Sequence, residues 1–326
     1  MNPAGWELPG PFALGTFAAP DGEQFPGLVV GERIRDLRAD RTAASARALL
    51  ADWDTALPRL AELAGRSRGS WRHVDEVRVL PPVEPRNLLQ SGANYRKHVI
   101  DIIVSEHDRA DGRTEQEVRA DAAAFMDHRA SSTDPYLFIG LPSAMCGAYD
   151  DIVLPADGAE HDWELELAAV IGRPARRVPP EQALGHVAAY TICNDVTTRD
   201  LVYRPELRKI GTDWLRSKNA PTFLPAGPVL VPSAFIGDPM DLRIVLSVNG
   251  QVMQDESTKD MIFDVARLVS YASRLVPLLP GDLILTGSPA GNGAHWRRFL
   301  RDGDQIDATI TGLGRQRNRC VSELPA

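Results

Sequence analysis

Seven short apolar runs, each bounded by glycine, proline, asparagine or aspartate, constrain the fold of this 326-residue chain most strongly. Runs of this length that are rich in branched apolar residues are typical of strands buried in a sheet. One run contains Asn249-Gly250, the kind of dipeptide that most strongly predicts a two-residue hairpin. Residues 81–326 are therefore predicted to form one mainly β domain. The runs occupy residues 86–93, 151–155, 163–172, 186–195, 243–252, 282–287 and 305–314.

The first 80 residues are predicted to form a small N-terminal α/β domain of their own. Short apolar runs punctuated by turn residues predict a meander of strands there. Residues 42–64 carry apolar residues at helical spacing and predict a helix that Pro58 splits in two. A further helix is predicted over 257–276, after a Ser/Thr cap and with an apolar stripe that begins at Ile262. The predicted fold class is α+β, mainly β.

The composition disfavours several classes of partner. A net charge of −8 and a pI near 5.4 argue against electrostatic binding to nucleic acid or to an anionic membrane. Aromatic residues make up 6% of the chain, which leaves few platforms for base stacking. No apolar run approaches the ~18 residues of a membrane span, and three widely spaced cysteines predict reduced thiols. We expect a soluble, cytoplasmic, acidic protein of the size of an enzyme.

The run at 163–172 places two carboxylates on one face of a strand. Alternation puts Glu164 and Glu166 on that face, roughly 6–7 Å apart, with apolar residues on the other. A third carboxylate, Asp195, ends another apolar run. Carboxylates in an apolar setting are costly without a counter-charge, and oxygen donors alone favour Mg²⁺, with Mn²⁺ or Ca²⁺ as alternatives. The competing interpretation is a solvated edge-strand face that binds nothing.

Two further side chains are candidates for chemistry beside these acids. Lys218 precedes Thr222 in a proline-rich apolar stretch and can supply a positive charge, unless it is an ordinary surface lysine. His98 precedes Asp101 by three residues, so a carboxylate on the same helical turn can orient the imidazole and strengthen it as a base. The alternative for His98 is a partly buried structural histidine.

Seven ordered motifs between residues 85 and 320 carry a family resemblance. They are SGANYRKHVID, LFIGLPSA, DWELELAAVIG, YTICNDVTTRD, FLPAGPVLVP, VNGQVMQDESTKDMIF and LLPGDLILTGSPAGNG. In this order they closely resemble the fumarylacetoacetate hydrolase family. The resemblance implies a mixed β-sandwich roll for the main domain, a homodimer, and a site for Mg²⁺ (or Mn²⁺ or Ca²⁺) near the mouth of that fold.

The resemblance also implies roles for individual residues. Glu164, Glu166 and Asp195 match the carboxylates that hold the metal in the family. His98 matches the general base, and Asp101 stands where many shorter members have a glutamate that pairs with this histidine. These five residues are the expected metal ligands and acid–base group.

A second set of residues is expected to meet the substrate. Lys218, a catalytic candidate, and Thr222 match a lysine and a threonine that lie beside the metal and the substrate oxygens. Ser288 takes the place of a threonine whose hydroxyl or loop amide contacts substrate. Arg199 and Gln254 complete the expected substrate-binding set.

Departures from the family pattern limit what the resemblance implies. Fumarylacetoacetase itself has an aspartate ligand where this chain has residues 91–93, Ser-Gly-Ala. It also has a glutamine and a tyrosine where this chain has Val202 and Glu206, and Gly140 replaces a lysine found in many members. We therefore expect a family member that is not fumarylacetoacetase.

The expected activity is hydrolysis of a carbon–carbon bond in an acylpyruvate-like or β-diketo acid by water that His98 activates. The same parts would serve a decarboxylase, isomerase or hydratase of a 2-oxo acid, and a non-catalytic binder is a further alternative. The polar segment 102–134 is longer than in compact members and is predicted to be a lid over the substrate.

Overall fold

The computed structural model describes residues 6–39, 42–66, 69–107, 111–207 and 209–323. Parts of three predictions lie outside these ranges, namely the ends of the N-terminal and main domains and residues 108–110 of the predicted lid. The strands of the N-terminal region are β1 Ala13–Ala18, β2 Gln24–Val30, β3 Arg33–Asp36, β4 Trp71–His73 and β5 Arg78–Leu80. Its helices are α1 Ala46–Leu50 and α2 Trp53–Ala64.

The N-terminal strands form one sheet in the order β4-β3-β2-β1-β5, in which every neighbouring pair is antiparallel. This confirms the predicted meander. The sheet is joined to the rest of the chain by reciprocal backbone hydrogen bonds between Leu14 and Leu230, of 2.9 and 2.6 Å. The boundary at residue 80 stays a prediction.

The prediction that Pro58 splits the first helical stretch is wrong. Pro58 lies inside α2, and the break between helices falls instead at Ala51 and Asp52. Proline in a helix leaves the carbonyl four residues earlier without its usual donor. Here that carbonyl belongs to Asp54, in the exposed first turn of α2, where water can satisfy it.

All seven apolar runs of the sequence form strands, which confirms the mainly β prediction. The remaining strands are β6 Leu88–Gly92, β7 Tyr136–Gly140, β8 Met145–Gly147, β9 Ile152–Leu154, β10 His161–Asp162, β11 Leu165–Ile171, β12 Val187–Asn194, β13 Thr197–Thr198, β14 Leu224–Ala226, β15 Val231–Pro232, β16 Arg243–Val248, β17 Gln251–Ser257, β18 Leu283–Leu285, β19 Gln305–Ile310 and β20 Arg315–Ser322. The remaining α-helices are α3 Arg96–Glu106, α4 Glu115–Ser132, α5 Pro180–Ala183, α6 Trp214–Lys218, α7 Val265–Leu275 and α8 Gly293–Trp296.

Two curled sheets build the main region. The larger follows the order β7-β6-β18-β11-β12-β14-β8, with β15 also paired to β12, and the smaller follows β17-β16-β19-β20-β9. A two-stranded ribbon pairs β10, which precedes β11 along the chain, with β13, which follows β12. Every residue of β11 and β12 is buried, so these two central strands can hold polar groups away from water only if each group has a partner.

The structure confirms the predicted hairpin but shortens the helix predicted over 257–276. Asn249 and Gly250 both have positive φ (52° and 81°) and connect β16 to β17, as the predicted hairpin requires. The helix predicted over 257–276 begins only at Val265, where the Asp264 side chain accepts a hydrogen bond from the Arg267 backbone N–H. The earlier part of the stripe is not helical, because Ile262 and Phe263 donate backbone hydrogen bonds to Asn94.

Helices α3 and α4 contain most of the predicted lid. A capping box between Thr114 and Glu117 starts α4. Near its other end, Arg267 donates to the Ala130 carbonyl at 2.6 Å and Arg129 donates to the Ala93 carbonyl at 2.9 Å. The C-terminal half of α4 is therefore anchored to the body of the protein. No helix in the described ranges is long and apolar enough to cross a membrane.

Candidate metal centre and active site

The register between β11 and β12 brings three carboxylates together. Leu165 pairs with Asn194, so Glu164 lies opposite Asp195, and the Asp195 backbone N–H donates to the Glu164 carbonyl at 2.9 Å. Glu166, two residues along β11, projects from the same face as Glu164. One oxygen from each of Glu164, Glu166 and Asp195 lies within 4.8 Å of the other two. All three side chains are buried, which excludes the solvated edge-strand alternative.

Each of these carboxylates has one oxygen held by a donor of the protein. Arg199 donates to Oε1 of Glu164, and the Gly287 backbone N–H donates to Oε2 of Glu166 at 2.6 Å. Gln90 donates to Oδ1 of Asp195, also at 2.6 Å. We call these three the outer oxygens and their partners, Glu164 Oε2, Glu166 Oε1 and Asp195 Oδ2, the inner oxygens. The outer hydrogen bonds orient the three carboxylates.

Lys218 lies at the inner oxygens. Its Nζ is 2.8 Å from Glu164 Oε2, 2.5 Å from Asp195 Oδ2 and 2.6 Å from the Thr197 hydroxyl. An ammonium group has three N–H donors, so all three are used. The side chain is buried, which excludes the surface-lysine alternative, and its pKa is raised because Asp195 and Glu164 outweigh the effect of burial. Lys218 therefore supplies one positive charge where two carboxylates need it.

The charges within this cluster do not balance. Burial raises the pKa of Glu166 well above its usual range, and the charges of Asp195 and Glu164 add to the shift. Burial also raises the pKa of Asp195 to about 6, against the opposing effect of Lys218. Burial acts in the same direction on Glu164, but Arg199 and Lys218 outweigh it and lower the pKa of that carboxyl to about 2. Positive charge is missing around Glu166.

A divalent cation fits this set of donors. With every group ionised, four buried carboxylates (Asp162, Glu164, Glu166 and Asp195) face two cations (Arg199 and Lys218), an excess of two negative charges. One dication removes that excess. All three candidate ligand atoms are carboxylate oxygens, the donor type preferred by Mg²⁺, Mn²⁺ and Ca²⁺.

His98 and Asp101 lie on α3 but are not hydrogen-bonded to each other. The His98 ring is 8% exposed, and its Nε2 lies 3.5 Å from the side-chain nitrogen of Asn292. Burial lowers the pKa of His98 to about 4, although the nearby charge of Glu164 opposes the shift. Asp101 instead accepts a hydrogen bond of 2.9 Å from Arg119 on α4. The expected orientation of His98 by Asp101 is therefore absent from the described contacts.

Arg199, expected in the substrate-binding set, lies between two buried carboxylates. Its Nε donates to Asp162 at 2.8 Å while its terminal nitrogen donates to Glu164. Thr222 has a positive φ of 71°, and its hydroxyl accepts from the Val153 backbone N–H at 2.7 Å. The described hydrogen bonds of Thr222 run toward Val153 and Cys146 and not toward the carboxylates.

Ser288 and Gln254 stabilise the glycine-rich loop that follows β18. Gln254 is fully buried and donates to the Ser288 hydroxyl at 3.0 Å and to the Pro289 carbonyl at 2.9 Å. The side-chain oxygen Oε1 of Gln254 accepts a hydrogen bond from the Leu165 backbone N–H at 3.4 Å. The amide of Gln254 thus connects this loop to the first residue of β11, and its described partners are all protein atoms.

Sequence reasoning did not identify four residues that complete the site. Gln90 holds Asp195, Thr197 holds Lys218, Asn292 approaches His98, and Asp162 holds Arg199. Asp162 also accepts from the backbone N–H groups of Gly293 and Ala294, at the start of α8. Only Asp162 had a signal in the sequence, since it continues the acidic alternation of Glu164 and Glu166.

The comparisons with known proteins give a family and several relatives. The family model for the C-terminal region of fumarylacetoacetate (FAA) hydrolase matches residues 88–321. The mitochondrial oxaloacetate tautomerase FAHD2A of Bos taurus is 40% identical over 190 residues, which cover 58% of this chain and 59% of that protein. The 2,4-didehydro-3-deoxy-L-rhamnonate hydrolase of Sphingomonas sp. is 42% identical over 207 residues, covering 61% and 70%. The match thus spans less than two thirds of the tautomerase.

Solved structures share the architecture over nearly the whole chain. The 5-carboxymethyl-2-hydroxymuconate delta-isomerase from Mycobacterium smegmatis is 30% identical with a TM-score of 0.69, covering 96% of this chain and 100% of that one. The maleylpyruvate hydrolase from Sphingobium sp. SYK-6 is 26% identical with a TM-score of 0.72, covering 95% and 100%. Isomerases, hydrolases and a tautomerase are therefore all built on this fold.

Proposed function

The chain belongs to the fumarylacetoacetate hydrolase family, and from that premise we propose that it is a divalent-metal-dependent hydrolase. Its substrate would be an acylpyruvate-like or β-diketo acid, in which it breaks a carbon–carbon bond. The observation that carries the proposal is the buried triad of Glu164, Glu166 and Asp195 with Lys218 at its inner oxygens. Mg²⁺ is the proposed cofactor, with Mn²⁺ or Ca²⁺ as alternatives.

The proposed chemistry divides between the metal and the residues around it. Glu164, Glu166 and Asp195 would hold the ion, which supplies Lewis-acid stabilisation of negative charge on the substrate oxygens. Lys218 would give up hydrogen bonds to Glu164 and Asp195 when those oxygens become ligands. Its freed N–H groups would then donate to a substrate oxygen that becomes negative.

His98 is the proposed general base. Its lowered pKa keeps the imidazole neutral at pH 7, so a ring nitrogen can accept a proton from water. The water oxygen then bonds to the carbonyl carbon, and the adjacent C–C bond breaks with its electron pair left on the departing enolate. Return of the proton from His98 to the enolate carbon completes the reaction and leaves the histidine neutral.

A second candidate is tautomerisation or isomerisation of a 2-oxo acid, with decarboxylation and hydration as related outcomes. The observation in its favour is that Asp101 is bonded to Arg119 and not to His98. A histidine without a carboxylate partner is a weaker base toward water. A weaker base is sufficient to remove an acidic proton from the carbon between two carbonyl groups. A non-catalytic binder is disfavoured because the base and the three acidic side chains are all retained.

Product analysis separates these activities. Metal-stripped protein is supplied with Mg²⁺ and a panel of acylpyruvates, and the loss of enol absorbance is followed in the ultraviolet. Hydrolysis yields pyruvate and a free carboxylic acid in equal amounts, which proton NMR detects. Loss of absorbance without new acid supports tautomerisation, and no change with any substrate contradicts both enzymatic proposals.

Asp101→Asn is expected to lower turnover far less than loss of His98. The ion pair with Arg119 is partly exposed, and such pairs contribute about 0–1 kcal/mol to stability. Steady-state kinetics and thermal unfolding measure both effects, with Arg119→Gln as the matched control. A large loss of turnover in Asp101→Asn that Arg119→Gln does not share would restore Asp101 as the residue that orients His98.

The lid also stays a proposal, and hydrogen exchange tests it. We expect exchange in the described part of segment 102–134 to slow when Mg²⁺ and oxalate are added together, with the smallest change in the anchored C-terminal half of α4. Closure would exclude water from the triad and strengthen its electrostatics. Equal exchange with and without oxalate would leave α4 as a plain surface helix.

We also propose that the protein forms a homodimer and that it is cytoplasmic. Light scattering coupled to size exclusion gives the mass in solution, for which we expect twice 35.6 kDa. A monomer at micromolar concentration would contradict the dimer. Fractionation of the source cells would test the location.

A further inference from the structure

Gln90 has an unusual position for a buried glutamine. It is 2% exposed, and its Nε2 donates to Asp195 Oδ1 at 2.6 Å. Its other polar atom, Oε1, is buried and has no hydrogen-bond partner in the described structure. An unpaired buried acceptor is destabilising, so the hydrogen bond to Asp195 is what this side chain contributes.

Gly140 provides the space that Gln90 occupies. Leu88 pairs with Gly140 and Gln90 pairs with Phe138 between β6 and β7, so these residues share one face of the sheet. A Cβ built on Gly140 would lie 2.5 Å from Gln90 Oε1 and 2.9 Å from its Cδ. Because real Cβ atoms do not approach other atoms so closely, a side chain at position 140 would displace the amide of Gln90, together with Cδ2 of Leu88, which would lie 2.9 Å away.

The hydrogen bond from Gln90 determines how Asp195 can bind a cation. Oδ1 is held by Gln90 and Oδ2 by Lys218, so the two oxygens have separate partners. The hydrogen bond from Gln90 uses a lone pair of Oδ1 and fixes the orientation of the carboxylate, which disfavours binding of a cation through both oxygens. Mg²⁺ requires a compact octahedral arrangement, whereas Ca²⁺ accepts more oxygens and often takes both oxygens of one carboxylate. A carboxylate held to one oxygen therefore favours Mg²⁺.

We infer that Gln90, in the space left by Gly140, is a positioning residue that keeps Asp195 a one-oxygen ligand and so makes the site select Mg²⁺ over Ca²⁺. This inference rests on the proposed metal triad and adds to it the residue pair that sets metal preference. It predicts that Gln90 and Gly140 act as one unit, since the atom nearest to a Cβ at position 140 belongs to Gln90.

Calorimetric titration of metal-stripped protein with Mg²⁺ and with Ca²⁺ tests the selectivity. In Gln90→Leu, which removes the donor and keeps the bulk, we expect Mg²⁺ affinity to fall about 10–100-fold, the usual effect of losing a partner of a metal ligand. Ca²⁺ affinity should fall less, so the Mg²⁺/Ca²⁺ affinity ratio falls by about tenfold. The thermal stability of the metal-free protein should change little, because the variant removes the unpaired Oε1 but leaves Oδ1 of Asp195 without its donor.

Gly140 gives a second and independent route to the same result. Gly140→Ala should reproduce the lowered ratio in the wild-type background but have no further effect in a Gln90→Ala background. Gly237→Ala is the matched control, since a Cβ there meets no atom within 4 Å. An unchanged ratio in Gln90→Leu, or an equal effect of Gly140→Ala in both backgrounds, overturns the inference and leaves the triad standing. Wild-type protein that binds neither cation overturns the proposed metal site itself.

Discussion

Glu166→Gln is expected to abolish metal binding, and with it activity, while the fold survives. The substitution removes one negative charge and, with the amide carbonyl in the outer position, places an NH2 group that cannot bind a cation in the inner position. Glutamine has the same length, and its carbonyl can still accept the hydrogen bond from the Gly287 N–H. The metal-free variant should be at least as stable as wild type, because a buried carboxyl with a raised pKa is replaced by a neutral group.

Calorimetry and thermal unfolding measure this effect without relying on turnover. Wild-type protein should bind one Mg²⁺ or Mn²⁺ per chain and gain about 2.7 kcal/mol when the free metal is 100 times its Kd. Glu166→Gln should lose both the binding and the gain. The exposed Glu62→Gln serves as control and should keep them. Stoichiometric binding that survives in Glu166→Gln would refute the assignment of the triad.

His98→Ala is expected to lower turnover ~10²–10⁴-fold, the usual range for loss of a general base. Metal affinity should change little, because His98 contacts Asn292 and none of the three carboxylates by a hydrogen bond. Steady-state kinetics should place the loss in kcat, and calorimetry should give nearly the wild-type Kd for Mg²⁺.

His186→Ala is the matched control for the histidine. His186 directly precedes β12, at the end of the strand opposite to Asp195, and its ring contacts the Arg173 carbonyl. Its loss should leave turnover unchanged. If His98→Ala instead abolishes metal binding, then His98 belongs to the metal site; if turnover is unaffected, it is the structural histidine of the alternative interpretation.

Local pattern was enough to predict most of the fold. Apolar runs bounded by turn residues place β6, β9, β11, β12, β16, β18 and β19 correctly, because a short run of branched apolar residues between turn residues fits a strand buried in a sheet. Alternation along a strand predicted that Glu164 and Glu166 share a face. The Asn249-Gly250 hairpin was likewise readable, since a tight turn depends only on neighbouring residues.

Local pattern failed where a distant residue decided the outcome. The apolar stripe from Ile262 onward predicted a helix. Instead, the backbone N–H of Phe263 donates a hydrogen bond to the side chain of Asn94, which lies 169 positions earlier in the sequence. Asp101 looked like the partner of His98 three residues earlier, but Arg119 on the neighbouring helix binds it. In both places the structure suggested by neighbouring residues is replaced by a hydrogen bond to a residue distant in sequence, which forms only when the chain has folded.

The site divides in the same way between sequence and tertiary structure. The sequence alone was enough to nominate the candidate side chains: three carboxylates, a histidine and a lysine in motifs of recognisable spacing. Only the tertiary structure decided how each carboxylate is held, because Gln90 reaches Asp195 across 105 positions and Gly287 reaches Glu166 across 121. Donors for buried acceptors come from whichever segments the fold brings close, and no local pattern encodes that arrangement.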